Sequence, residues 1–147
     1  MIRAACHCGA VRMTLEVAPD WVLDCNCSIC RRYGTLWAYG WDGRARRDLG
    51  AVLVQGGGEL EAYIWGSRQI GLWRCKTCGC LTHHTALAKP NQIRAINARM
   101  FVNFDPASVT IDQCDNGHSN RFWTRTDGPI QQGHQPAMGP EGVDDWR

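Results

Sequence analysis

The sequence predicts a mainly β single domain. Three observations carry that reading: short apolar segments with strand-like alternation, turn residues between them, and almost no helical periodicity. Residues 10–17 alternate apolar and polar side chains, as a half-buried strand does. Residues 21–23 and 36–39 read the same way over shorter spans, and Asp42-Gly43 is a turn signal after them. Residues 51–55 read as a buried strand stopped by Gly56-Gly57-Gly58. Residues 60–65 and 70–73 flank Gly66-Ser67 and predict an antiparallel hairpin, and 109–111 form a late strand after a turn at Asp105-Pro106. Helix is confined to one or two turns over 28–33, with Ser28 as N-cap, and to a turn at Ala107-Ser108. From Asp127 onward the chain holds four glycines and three prolines with few aliphatic residues. The expected organisation is therefore a domain over 1–126 and a loosely packed or draped tail over 127–147.

Length and charge narrow the function. A chain of 147 residues buries roughly two thirds of its unfolded surface as one domain. Sixteen basic residues against fourteen acidic ones is too even a balance for a dedicated nucleic-acid or membrane-surface binder. No apolar run is long enough to span a bilayer, and the first residues lack a stretch of signal-peptide length, so the expected location is the cytoplasm. Lys76 and Lys89 are the only lysines, which weighs against imine chemistry. The triple glycine lacks a following helix and a Lys-Ser/Thr pair, so a phosphate loop is not expected there.

Nine cysteines are the outlier. An odd number cannot pair fully into disulfides, and a reducing compartment disfavours them, which points the thiols toward metal or catalysis. Eight fall into three groups: Cys6-His7-Cys8-Gly9, Cys25-Asn26-Cys27-Ser28-Ile29-Cys30, and Cys75-Lys76-Thr77-Cys78-Gly79-Cys80. Thiolates two or three positions apart in a tight turn can point into one tetrahedral zinc site, and a following glycine lets the backbone fold back toward the sulfur. Cys6 and Cys8 with Cys75 and Cys78 make a closed four-sulfur set, whose work is structural. Cys25, Cys27 and Cys30 supply three ligands, the way an ion is presented for chemistry. Three thiolates on Zn²⁺ leave a negative centre that is a poor generator of hydroxide but still holds an incoming thiol deprotonated. Closure by Cys80 is the rival reading, and Cys114 reads as a buried apolar residue.

The three groups in this order and spacing resemble the glutathione-dependent formaldehyde-activating enzyme family, also called the centromere protein V family. The similarity extends to Ile96-Asn97-Ala98-Arg99 as a strand after the last cysteine group and to Asp115-Asn116-Gly117-His118 as a late turn, and covers about residues 3–125. The resemblance implies a β-tent-like fold of the type found in methionine sulfoxide reductase B and Mss-type proteins. It implies two zinc ions per chain, a structural one on Cys6, Cys8, Cys75 and Cys78 and a catalytic one on Cys25, Cys27 and Cys30. The implied activity is that of a carbon–sulfur lyase acting on a small-molecule thiol such as glutathione and a small carbonyl such as formaldehyde. A homo-oligomer is left open.

On that reading a thiol ligates the middle zinc, and its sulfur attacks, or is released from, a carbonyl carbon. Arg31 and Arg32 beside the loop are candidates for holding a carboxylate of the thiol, or else form a solvated face. Ser28 either caps the helix or donates to a sulfur. One of His83 and His84 is a candidate proton carrier, since a strand points them to opposite faces. His7 is not needed as a ligand. Trp37, Tyr39, Trp65 and Trp73 are candidate pocket walls, with core packing the simpler role. A zinc-stabilised binding module and a thiol-redox protein are the alternative classes.

Overall fold

The computed structural model of the chain describes residues 1–40, 48–64 and 68–115, together with the backbone of 121–124. The architecture is mainly β, in two open sheets. Strands β1 (Ile2–Ala5), β2 (Arg12–Leu15) and β5 (Val52–Gln55) form a three-stranded antiparallel sheet in the order β1-β2-β5. The large sheet has eight strands. In spatial order they are β11 (Arg121–Thr124), β10 (Thr110–Asp115), β3 (Trp21–Cys25), β4 (Leu36–Tyr39), β9 (Lys89–Asn97), β8 (Leu81–Ala86), β7 (Ile70–Cys75) and β6 (Leu60–Tyr63). Neighbours are antiparallel except β3 and β10, which run parallel. A single helical turn, α1 (Cys30–Tyr33), follows β3. Among the described residues no helix is long and apolar enough to cross a membrane.

Side chains alternate across a strand, so the large sheet has two faces with different company. One face presents Val22, Leu36, Ala38, Ile96 and Ile111 to Ala4, Met13 and Leu15 of the small sheet, with Leu49 and Phe101 closing the layer. This inter-sheet core is the main source of stability, at about 1.5–3 kcal/mol for each large aliphatic side chain fully buried. The other face carries Trp21, Leu23, Cys25, Trp37, Tyr39, Leu72, Leu81, Ala95 and Cys114. Cys27, Ile29 and Tyr33, from the loop and helix after β3, pack on that face, as does Tyr63. The four residues of β4 are all buried because both faces are covered.

Each of the seven expected strand regions overlaps a strand, and the 60–65/70–73 hairpin corresponds to the β6-β7 pair. Four details differ. Residues 52–55 are not a buried strand but an edge strand of the small sheet, alternately half-buried and exposed, with Leu53 59% exposed. Ser28 does not cap α1: Ile29 occupies the N-cap position with no side-chain hydrogen bond, and the Ser28 carbonyl instead accepts from Arg32 Nη1 at 2.6 Å. The segment 96–99 leaves its strand at Asn97 and turns through a 3-10 helix over Ala98–Met100. Strands β1, β8, β9 and β11 carry too few apolar residues in alternation to be read in advance. Asp42-Gly43, Trp65, Gly66-Ser67, Asn116-Gly117-His118 and the tail from Asp127 lie outside the described residues.

The turn after β5 presses on the first cysteine loop. Gly56 sits at φ +79, and a Cβ there would stand 2.0 Å from the Ala10 carbonyl oxygen, whereas Gly57 faces open space. Gly56→Ala is expected to destabilise the fold by about 2–4 kcal/mol through left-handed strain and backbone collision. Gly57→Ala should stay within about 0.5 kcal/mol. Urea unfolding of the two variants checks this; equal midpoints would remove Gly56 as a packing constraint.

Candidate metal centre

Two hairpin turns, one from each sheet, meet at the first sulfur group. Cys6 ends the β1 side of the β1-β2 turn and Cys75 ends β7. Both loops close in the same way. The Cys6 N–H donates to Val11 O at 3.0 Å and the Cys75 N–H to Cys80 O at 3.0 Å. Gly9 (φ +77) and Gly79 (φ +72) then turn back to donate to the Cys6 and Cys75 carbonyls. Those left-handed positions are where a glycine is needed. The sulfurs of Cys6, Cys8, Cys75 and Cys78 lie within 4.8 Å of one another, with Cys6–Cys8 at 3.5 Å and Cys8–Cys75 at 3.6 Å. Four sulfurs around zinc at about 2.3 Å would stand roughly 3.8 Å apart, so the donor set and its spread fit such an ion. The Val11 N–H also donates to the Cys6 sulfur at 3.3 Å.

Crowding divides the charge among these sulfurs. The Cys78 thiol is drawn down to about 5, first by the Cys8 N–H and then by that of Cys80. The Ala10 N–H favours the Cys8 thiolate, but burial and the Cys6, Cys75 and Cys78 sulfurs outweigh it and push Cys8 up to about 12.

The middle group forms where β3 runs into α1. The sulfurs of Cys25, Cys27 and Cys30 lie within 4.8 Å of one another, and among the described residues no fourth cysteine, histidine or carboxylate joins them. Cys80 does not close this group. It packs with Cys6, Val11 and Cys75 at the first group, because the turn after β7 carries it there. Charge is again shared unequally. Hydrogen bonds from Cys114, then Cys27 and Cys30, hold Cys25 far below an ordinary thiol, while the Cys25 sulfur pushes Cys27 and Cys30 up. The three thiols thus oppose one another's ionisation, a conflict that a bound cation would relieve.

Several groups that sequence reasoning missed hold this loop. The Trp37 indole N–H donates to the Cys30 sulfur at 3.2 Å, and Trp37 is only 2% exposed. Cys114 is fully buried, as expected, but it is also the register partner of Cys25 on the parallel β3-β10 pair. Asn26 is tied to β10 twice, its backbone N–H to Cys114 O at 3.1 Å and its Nδ2 to Asp115 Oδ1 at 2.7 Å. Buried Asn97 accepts from the Leu36 N–H and donates to Leu81 O, and Arg99 Nε donates to the Gly34 carbonyl at the end of α1. A lone buried cysteine and an Asn-Arg pair ninety or sixty residues away carry no local pattern, so only pairing reveals them.

The strand register separates the two histidines. Tyr63, Leu72, His84, Ala95 and Tyr39 are successive partners across β6, β7, β8, β9 and β4. They therefore share a face, and that face carries Cys25. His84 lies edge-on to Trp37 at 4.6 Å, and its Nε2 is 3.3 Å from the Tyr39 hydroxyl. His83 faces the other way, stacked on Trp73. The Thr82 hydroxyl donates to Trp73 O, so its oxygen accepts from His83 Nδ1 at 2.9 Å, which fixes the tautomer. Arg31, Arg32 and His7 are exposed. At the rim, Arg74 Nε pairs with Glu61 Oε1 at 3.0 Å, and nearby Tyr33 and then Glu61 raise the Arg74 guanidinium above its ordinary value.

Comparison with known proteins agrees with this arrangement. The family profile described as glutathione-dependent formaldehyde-activating enzyme matches residues 1–113. A crystal structure of a Rhodobacter sphaeroides protein is similar at 31% identity with a TM-score of 0.56, over 71% of this chain and 92% of that one.

Burial holds the His83 imidazole down at about 4, against an ordinary 6.5. As pH falls the unfolded chain takes this proton first, so the contribution to stability is full above 6.5 and lost on the way to about 4. His83→Phe is expected to reduce the slope of unfolding free energy in that window by up to one proton, about 1.4 kcal/mol per pH unit. Unfolding titrations of both proteins from neutral to acid measure it, and parallel curves would place the pH dependence elsewhere.

Proposed function

This chain belongs to the glutathione-dependent formaldehyde-activating enzyme family, and from that premise we propose that it adds a thiol such as glutathione to a small carbonyl such as formaldehyde, or releases it again, at the middle sulfur group. The observation that carries the proposal is the contrast between the two groups: four mutually close sulfurs in one, three in the other. In this reading Cys6, Cys8, Cys75 and Cys78 hold a structural zinc ion. Cys25, Cys27 and Cys30 hold the catalytic one, two ions per chain within the domain 1–126. When bound at the three cysteines, zinc supplies positive charge that keeps a thiol ligand deprotonated at neutral pH. The setting is the cytoplasm, where thiols of this class stay reduced.

The chain's own groups then orient the reaction. The Trp37 N–H and the Cys114 S–H each donate to a ligating sulfur, which spreads the charge of three thiolates and fixes their directions. Asn26 and Asp115 set the loop that carries Cys25 and Cys27. Addition forms one carbon–sulfur bond and converts the carbonyl oxygen into a hydroxyl, so a proton lost by the thiol must reach that oxygen. His84 and Tyr39, hydrogen-bonded to each other on the site's face, are the pair assigned to carry it. His83, on the opposite face, is left out of the chemistry.

Metal content and X-ray absorption at the zinc edge test the assignment. Two zinc ions per chain are expected, with Cys27→Ala losing one while keeping most of its thermal stability, and Cys78→Ala losing one and most of its stability. Glutathione should add sulfur to the mean coordination of the wild-type protein. Four protein donors around both ions, or no thiol-dependent loss of formaldehyde by NMR, would overturn the activity.

A further inference from the structure

The ion pair at the rim has no part in the chemistry above. Glu61 and Arg74 are register partners on β6 and β7, with side chains 47% and 40% exposed. An exposed pair of this kind contributes little to folding. Its position is what distinguishes it. Tyr63 lies two residues beyond Glu61 and Leu72 two residues before Arg74, and both belong to the apolar cluster that includes Cys25 and Cys30. Strand alternation therefore turns Glu61 and Arg74 toward the sulfur-bearing face. A bulge between Trp73 and Arg74 brings Arg74 opposite Leu81, another member of that cluster.

Arg74 also lies near the metal loop. Tyr33, the last residue of the helical turn that begins with Cys30, lies close enough to help hold the guanidinium charged, together with Glu61. Cys75, the next residue along β7, belongs to the four-sulfur group, so the strand that presents the guanidinium is anchored at its adjacent position. Nε is engaged by Glu61, and the Nη groups are the guanidinium's further donors. A cation and an anion thus stand side by side on the face that carries the middle group.

We infer that Arg74 and Glu61 form a subsite for the zwitterionic α-amino-acid end of a γ-glutamyl thiol, Arg74 taking its carboxylate and Glu61 its ammonium. This rests on the proposed thiol chemistry and names which thiols it selects. Glutathione carries such a head group at the end opposite its other carboxylate, and a simple thiol such as 2-mercaptoethanol carries none. Arg32, by contrast, is turned back onto the Ser28 carbonyl.

Binding titrations of the full chain, as purified with its metal, test the subsite through a ratio of affinities. The probes are glutathione, N-acetylated glutathione and 2-mercaptoethanol. Arg74→Gln is expected to lower the preference for glutathione over 2-mercaptoethanol about tenfold or more. Glu61→Gln is expected to weaken glutathione several-fold while leaving N-acetylated glutathione, whose nitrogen is uncharged, within about twofold. A purely structural role would weaken every thiol together and leave the ratios unmoved, and that result overturns the subsite, as does no change at all. Wild-type protein that takes up none of the three probes overturns the thiol chemistry itself, whereas wild type that binds all three with ratios indifferent to both substitutions removes the subsite alone.

Discussion

Crowded sulfur is the constraint on which this molecule turns. Seven cysteines are gathered into two groups whose sulfurs lie within 4.8 Å of one another. Like charges at that distance cannot all ionise without a counterion. Each group holds a depressed thiol against raised neighbours: Cys78 against Cys8 in the first, and Cys25 against Cys27 and Cys30 in the second. A divalent ion would remove the conflict in both. The difference lies in what each group joins: the first ties a turn of the small sheet to a turn of the large one, while the second stays on one face of the large sheet.

That face is the other half of the design. The large sheet spends one side on the inter-sheet core, through Val22, Ala38 and Ile96, and leaves the other for Trp37, Tyr39, His84 and the cysteine loop. A loop over a sheet would ordinarily be the most mobile part of a fold. Here it is held at both ends, by Asn26 to β10 and by Arg99 to the end of α1, and from beneath by the Trp37 indole. Rigid support of this kind keeps a ligating geometry in place before any ligand arrives.

Much of this was legible from residue types. Cysteine spacing with a glycine after the pair announces a knuckle, because the turn chemistry and the ligand chemistry are both local, and Cys6–Gly9 and Cys75–Gly79 fold as that spacing implies. Strands with clean alternation, such as β2, were readable for the same reason. The strand β8 was not: Thr82-His83-His84-Thr85 is polar in sequence but buried, since Thr82 and Asn97 find hydrogen-bond partners across strands that no local pattern reveals, and His83 bonds to Thr82 in turn. Alternation could say that only one histidine meets the site, but choosing His84 required the register with Ala95 and Tyr39. Cys114 read correctly as buried, and its bond to Cys25 followed only from the parallel pairing.

The parallel pairing of β3 with β10 has a consequence for how the molecule comes into being. Asn26 and Asp115 are 89 positions apart, and the two strands between them cannot meet until nearly the whole described chain exists. On the ribosome, Cys25, Cys27 and Cys30 emerge long before the partner that seats them, and the turn bearing Cys75 and Cys78 emerges earlier than that partner. Distant pairings of this sort form slowly. Three thiols are therefore synthesised well before the strand that seats them, and until it arrives they have no shelter from an oxidant.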